Sequence, residues 1–286
     1  MSAFNAFTAM MYRQLKRWWN ARSRVIMTIL NPLIWMVFLG LGWGSIFNPQ
    51  NIPSIPGIPN IPNIVEMLKS AIDNYFKQLF GGVGYVAFML TGVVVMTAFM
   101  GSFISGISVI WDKQFGFLKE TLVAPAPRSV VILGRIVGDS IVTTIQSLVI
   151  VMLSTILTNE INLVNTPLAM CYIFIMSLGF TSLGTAISLK FRSMEGFQMV
   201  VNLMTMPLVF MSGVFYPVTT MPEWMKLLSK FNPLTYSVHA VRYWLANADV
   251  GFEYMDPLTD LTILTMFTVA MMIIAMKTFE KTTLED

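Results

Sequence analysis

The sequence predicts an all-α integral membrane protein, and three observations carry that prediction. Six long apolar stretches recur along its 286 residues, 55% of the residues are hydrophobic against 12% charged, and mean hydropathy is +0.68. A helix needs about 20 apolar residues to cross bilayer hydrocarbon. The stretches at 25–47, 83–110, 136–157, 167–189, 198–216 and 258–276 are of that order and read as six transmembrane helices. A chain so poor in charge cannot present an ordinary surface to water, so lipid is its solvent. Spans and loops consume the whole length, which makes 1–286 a single transmembrane domain.

Before the first span, Phe4, Phe7, Met11, Leu15 and Trp18 recur at helical spacing while Arg13, Lys16, Arg17 and Asn20 take the other face. That pattern predicts an interfacial elbow helix over 3–22, lying in the headgroup layer. No apolar core precedes a small-residue cleavage site, so no removable signal peptide is expected. Within the first span, Gly40, Gly42 and Gly44 read as a close-packing run rather than a nucleotide-binding turn. The following loop places proline at every third position from Pro53 to Pro62, which favours an extended spacer. Beyond it Ile64, Leu68, Ile72, Tyr75 and Leu79 align behind Asn63 and Glu66, a capping pair that predicts an outer helix.

Topology follows from charge. The N-terminal segment, the 111–135 loop, the 190–197 loop and the tail hold thirteen of the eighteen Lys and Arg residues. The remaining five, Lys69, Lys77, Lys226, Lys230 and Arg242, fall in the alternate loops. Positive loops stay in the cytoplasm, so both termini are expected there and three loops face outward.

Enzymatic signatures are lacking. The sequence contains no G-x-x-x-x-G-K-[ST], H-E-x-x-H or G-x-S-x-G pattern, one histidine (His239) and one cysteine (Cys171), so no catalytic residue, cofactor site or metal site is expected. Asp139 is the clear ionisable residue inside a span, and Arg135 one turn earlier predicts a local ion pair with it. The 111–135 loop carries Gly116, then Phe117, Leu118 and Leu122 with Lys119 and Glu120, then Pro125 and Pro127. Such a short amphipathic helix suits a groove on a cytoplasmic partner, and equally an interfacial loop.

The segment from Gly116 to Arg135 resembles the first cytoplasmic loop of type-2 ATP-binding-cassette exporter permeases. A second match runs from Met211 through Gly213, Tyr216, Pro217 and Trp224 to Asn232-Pro-Leu-Thr-Tyr236 and Arg242, similar to that family's signature between spans five and six. Within the family the chain looks most like daunorubicin-resistance and nodulation-type permeases. Lys119 stands where an acidic residue is common, and the Pro-rich loop at 49–62 is unusual.

The resemblance implies a homodimer or paired permease working with two cytoplasmic ATPase subunits, which bind the ATP and Mg that this chain does not. Residues 115–123 are then the coupling helix, with Gly116, Phe117, Leu118, Lys119, Glu120, Leu122, Val123 and Arg128 as ATPase-coupling positions. Residues 217–257 become an outer re-entrant segment, and the exit gate is Val214 and Phe215 just before it with Trp224, Leu228 and Phe231 within it. Asn202, Thr205 and Met206 resemble positions beside the transport pathway. The implied function is outward, ATP-driven movement of a lipid, drug-like compound or glycolipid across a prokaryotic plasma membrane. The alternative is a secondary carrier or channel working without ATP.

Overall fold

The computed structural model describes residues 3–47, 62–117, 120 and 125–282, and among these every regular element is helical. Helix α1 (Ala3–Asn20) is followed by α2 (Arg22–Trp35), and the two axes differ by 70°. The α2 ladder, already missing the Pro32 N–H, widens into π turns over Met36–Trp43. Helix α3 (Pro62–Leu79), expected on the outer side, starts one residue before Asn63, which therefore lies within the helix rather than at its cap position. Its Phe76, with the adjoining Phe80, joins Phe47 and Tyr85 in an edge-to-face aromatic cluster, whereas Tyr75 is exposed.

Helices α4 (Tyr85–Ile104) and α5 (Ile107–Gln114) form one long span interrupted by a turn at Ser105-Gly106. Then come α6 (Arg128–Leu157), α7 (Thr166–Ser188) and α8 (Met194–Phe210). Two shorter helices, α9 (Glu223–Lys230) and α10 (Pro233–Ala246), precede α11 (Pro257–Glu280). The starts of α8, α10 and α11 are capped by side chains: Ser193 accepts from Gly196, Asn232 from Leu234 and Asp256 from Thr259.

Helix α4 is the axle of the bundle, buried nearly all round against α6, α7 and α10. Helix α7 packs most extensively on α11. The elbow is more than an interfacial float, because α1 lies directly across α6. Gly134 and Gly138, one turn apart on α6, make that crossing possible: a Cβ at Gly134 would stand 2.5 Å from the Phe7 carbonyl oxygen, and one at Gly138 would stand 3.0 Å from Gln14 Cβ. The expected Gly40–Gly44 packing run is looser, with only Gly44 tightly opposed, by Val86 at 3.0 Å.

Among the described residues four helices are long and apolar enough to cross a membrane, Tyr85–Gln114, Arg128–Leu157, Leu163–Ser188 and Pro257–Glu280, and a fifth if the bent α1–α2 pair is one span. The fifth expected stretch, 198–216, is helical only to Phe210, giving α8 seventeen residues. The chain is a multi-pass membrane protein on this architecture.

Candidate functional site

Two polar constructions lie at opposite ends of the α4–α5 span. At one end, Asp112 near the end of α5 gathers arginines from two other helices. Its carboxylate accepts from Arg13 Nη2 at 2.9 Å, Arg13 Nη1 at 3.2 Å and Arg135 Nη1 at 2.6 Å, with Arg17 Nη1 3.9 Å away. Arg135 also donates to Ser108 Oγ at 2.6 Å. The Arg135 guanidinium is thus committed to Asp112 and α5, which corrects the expected pairing with Asp139. The Asp112 and Arg135 side chains are 6% and 4% exposed, so one carboxylate locks α1, α5 and α6 together in a dry setting.

This hub reaches Phe117, in the segment expected to be the coupling helix. The Arg13 guanidinium sits 3.6 Å from the centre of the Phe117 ring, a cation–π contact. Gly116 adopts φ +79°, the left-handed turn that lets the chain leave α5. Glu120 is exposed, and Arg128 is engaged within the chain, donating to the carbonyls of Glu280 and Thr282 at the end of α11. Leu118, Lys119, Leu122 and Val123 lie outside the described residues, as do most of the 115–123 helix and the Pro-rich loop up to Ile61.

At the other end stands Arg242 of α10, 2% exposed. Its guanidinium carbon is 3.7 Å from the Phe88 ring centre, and Nη2 donates to the carbonyls of Gly213 at 3.1 Å and Phe88 at 3.3 Å. Val214 is fully buried there, and a Cβ on Gly92 would stand 2.5 Å from its oxygen. Beside it, His239 bridges two carboxylates, Asp260 at 2.6 Å and Asp249 at 3.0 Å, tying α10 to α11 and to the loop between them. Sequence reasoning counted Arg242 as a loop charge and gave His239 no role. Only the mid-helix position of both, on a face otherwise apolar, hinted at burial.

The five expected gate residues divide. Val214 is interior and Phe215 bridges the rings of Trp35 and Phe210, at 6.5 and 5.2 Å, while Trp224, Leu228 and Phe231 of α9 are exposed. On α9, Lys226 hydrogen-bonds Glu223 and draws its carboxyl below the usual range. Asn202, hydrogen-bonded to Gln198 at 2.9 Å, and Met206 are exposed, with Thr205 half-buried beside them. They share α8 with Met199, Leu203 and Phe210, an outward apolar stripe at helical spacing. Helix α8 itself packs mainly on α4 and α5, and Met199, Leu203 and Met206 of the stripe are exposed while Phe210 meets the Phe215 ring.

Comparison with known proteins fits this layout. The chain is 26% identical over 257 residues to a putative transport permease, ycf38, of Pyropia yezoensis, covering 88% of this chain and 77% of the relative. It is 24% identical over 201 residues to the inner membrane transport permease YadH of Escherichia coli, covering 68% and 74%. With the daunorubicin resistance ABC transporter permease DrrB1 of Streptomyces coeruleorubidus it shares 28% identity over 189 residues, 62% and 65% of the two chains. The ABC-2 type transporter profile matches residues 5–246, from the elbow to the end of α10, and the chain belongs to that family of ABC transporter membrane subunits.

Proposed function

We infer that this chain is the membrane half of an ATP-driven exporter that moves an amphipathic molecule outward, powered by two separate ATPase subunits. The observation that carries the reading is the Asp112 hub. A push on the segment after Gly116 meets Phe117, then Arg13, then a carboxylate shared by α1, α5 and α6, so displacement at the cytoplasmic face moves three elements as a body. In this reading α2 and α8 complete six spans, both termini are cytoplasmic, and the membrane is a prokaryotic plasma membrane. The α8 stripe with Asn202, Thr205 and Met206 faces a second copy across the pathway. Trp224, Leu228 and Phe231 lie in the outer leaflet at its exit. A surface of methionine, leucine and amide side chains suits apolar or amphipathic cargo better than free ions.

The test is reconstitution of the chain in nanodiscs with its ATPase. Stimulated ATP hydrolysis should depend on the 115–123 segment, and a cysteine at Met206 should crosslink to its counterpart in a second copy. Transport persisting without any ATPase would favour a carrier instead.

A further inference from the structure

At the end of the bundle that holds Asp112, a cavity of about 510 Å³ opens between the C-terminal ends of α5, α7 and α11. That volume lies within the range of ordinary ligand sites. Five cations line it: Lys113 from α5, Lys190 and Arg192 from the turn after α7, and Lys277 and Lys281 from the end of α11. No carboxylate is among the lining residues.

Helix capping accounts for only one of the five. Carbonyls at a helix C-terminus attract cations, and Lys113 donates to the Leu189 carbonyl at the end of α7. At the end of α11 that place is taken by Arg128, on the carbonyls of Glu280 and Thr282. The other four cations of the cavity are exposed, and their side chains form no ion pair or hydrogen bond among the described residues. Glu195 and Glu280, the acids nearest in the chain, pair with none of them. Lys277 and Lys281 stand one turn apart on one helix face and repel, and the packing of α7 on α11 brings Lys190 and Arg192 to the same hollow. An anion entering the hollow relieves all four. Helix α11 indicates which kind. It is the least buried of the four long apolar spans, and its exposed face runs through Met266, Val269 and Ile273 to Lys277. From Met266 to Lys277 the helix rises roughly 16 Å, about the depth of one leaflet of hydrocarbon. An apolar face of that length ending in cations matches acyl chains joined to a phosphate, and a soluble anion or an acidic peptide would leave the apolar part unused.

We propose that this cavity binds the phosphate of an anionic phospholipid from the adjoining leaflet, held by Lys190, Arg192, Lys277 and Lys281, with an acyl chain along the exposed face of α11. In the orientation inferred above, that leaflet is the cytoplasmic one. The site is separate from the α8 stripe assigned to the pathway. It concerns binding by the permease alone, so its failure would leave the ATP-coupled reading untouched.

Native mass spectrometry of the purified full chain in detergent, titrated with phosphatidylglycerol or with phosphatidylcholine of the same acyl chains, is the test. Phosphatidylglycerol should bind at least about tenfold more tightly, and Lys277→Gln with Lys281→Gln should weaken it about thirtyfold, the worth of two cations facing a phosphate. Lys190→Gln with Arg192→Gln should do the same from the opposite wall, while Lys277→Arg with Lys281→Arg should keep the preference. Thermal unfolding of these variants in lipid-free detergent should match the wild type, since they alter charges that pair with nothing, and this separates loss of lipid from loss of fold. Inorganic phosphate in large excess should not displace the lipid, and a photoreactive acyl chain should label 266–274. Equal binding of the two lipids by the wild type would overturn the proposal, as would an equal weakening from Lys16→Gln with Arg22→Gln, a basic pair outside the cavity. Displacement by inorganic phosphate would reassign the site to a soluble anion, and labelling confined to α8 would place the lipid elsewhere. Loss of ATPase co-purification in the Lys277 and Lys281 double variant, with lipid binding unchanged, would make the cavity a protein contact instead.

Discussion

Replacing Asp112 with asparagine removes one charge and no volume, yet it should be among the most damaging single changes in the chain. The magnitude can be worked pair by pair. Arg135 is 4% exposed and 2.6 Å from the carboxylate, so Asp112→Asn leaves an uncompensated buried cation, a loss of about 3–5 kcal/mol. Arg13 and Arg17 are 29% and 24% exposed and still reach water, so each adds no more than about 1 kcal/mol. A domain is typically stable by only about 5–15 kcal/mol, so the single variant should express poorly and unfold early. The double variant Asp112→Leu with Arg135→Met should recover most of the loss, because removing both members of a buried pair is nearly neutral. Unfolding in mixed micelles, followed through the seven tryptophans, would supply the double-mutant cycle. A single variant destabilised by less than about 1 kcal/mol, or a double variant no better than the single, would refute the hub.

Other substitutions probe the remaining assignments. Leu118→Asp or Leu122→Asp should abolish stimulation of the ATPase while the permease still inserts, since a charge buried in an apolar groove costs several kcal/mol; unchanged stimulated turnover in both would remove the coupling role from 115–123. Gly134→Leu should dislodge the elbow, because its Cβ alone would stand 2.5 Å from the Phe7 oxygen, and protease should then cut near Asn20 faster than in wild type. Charge asymmetry predicts that a cysteine at Ser54 is labelled by an impermeant reagent in intact cells and one at Ser129 is not. Cys171, itself exposed, must first become alanine, and labelling at Ser129 would reverse the topology. Charged replacements of Trp224 or Phe231, 61% and 80% exposed, should impair export while basal ATP hydrolysis continues. Amides across 224–244 should resist hydrogen exchange in nanodiscs, and rapid exchange throughout would mark an ordinary solvated loop.

Periodicity and hydropathy made the strongly apolar spans legible, and their errors are instructive. The third span was expected from 136, but α6 begins at Arg128. Hydropathy falls at Arg135, whereas the helical hydrogen-bond ladder is indifferent to charge, and Pro127 sets the start. The Asp112 hub was not legible, because it joins residues 99 and 23 positions apart and nothing local distinguishes Arg13 or Arg135 from other basic residues at a membrane edge. The Gly134–Gly138 seat does have a local signature, small residues one turn apart, which the attention given to Gly40–Gly44 passed over.

The Arg242 end shows why a family signature can be recognised before its physics is understood. An apolar pattern continues past Phe210, so the fifth span was expected to reach 216, yet the helix stops and the chain turns at Gly213 with φ +83°. Stopping a helix inside an apolar body leaves carbonyls without N–H partners, a cost that hydrocarbon cannot relieve. The last carbonyls of α8 are taken up by other groups, Leu208 by Asn232 Nδ2 and Phe210 by the Tyr216 hydroxyl, while Arg242 donates to Gly213 just beyond them and to Phe88, and covers the Phe88 ring. The turn after α8 and the buried arginine in α10 are therefore one construction separated by 29 residues. Arg242→Lys keeps the charge but loses the planar fork that spans two carbonyls, so it should loosen the 211–218 turn nearly as much as Arg242→Leu. Faster hydrogen exchange at Val214 and Phe215 in both variants would register that loosening, and protection retained in the lysine variant would show that charge alone suffices.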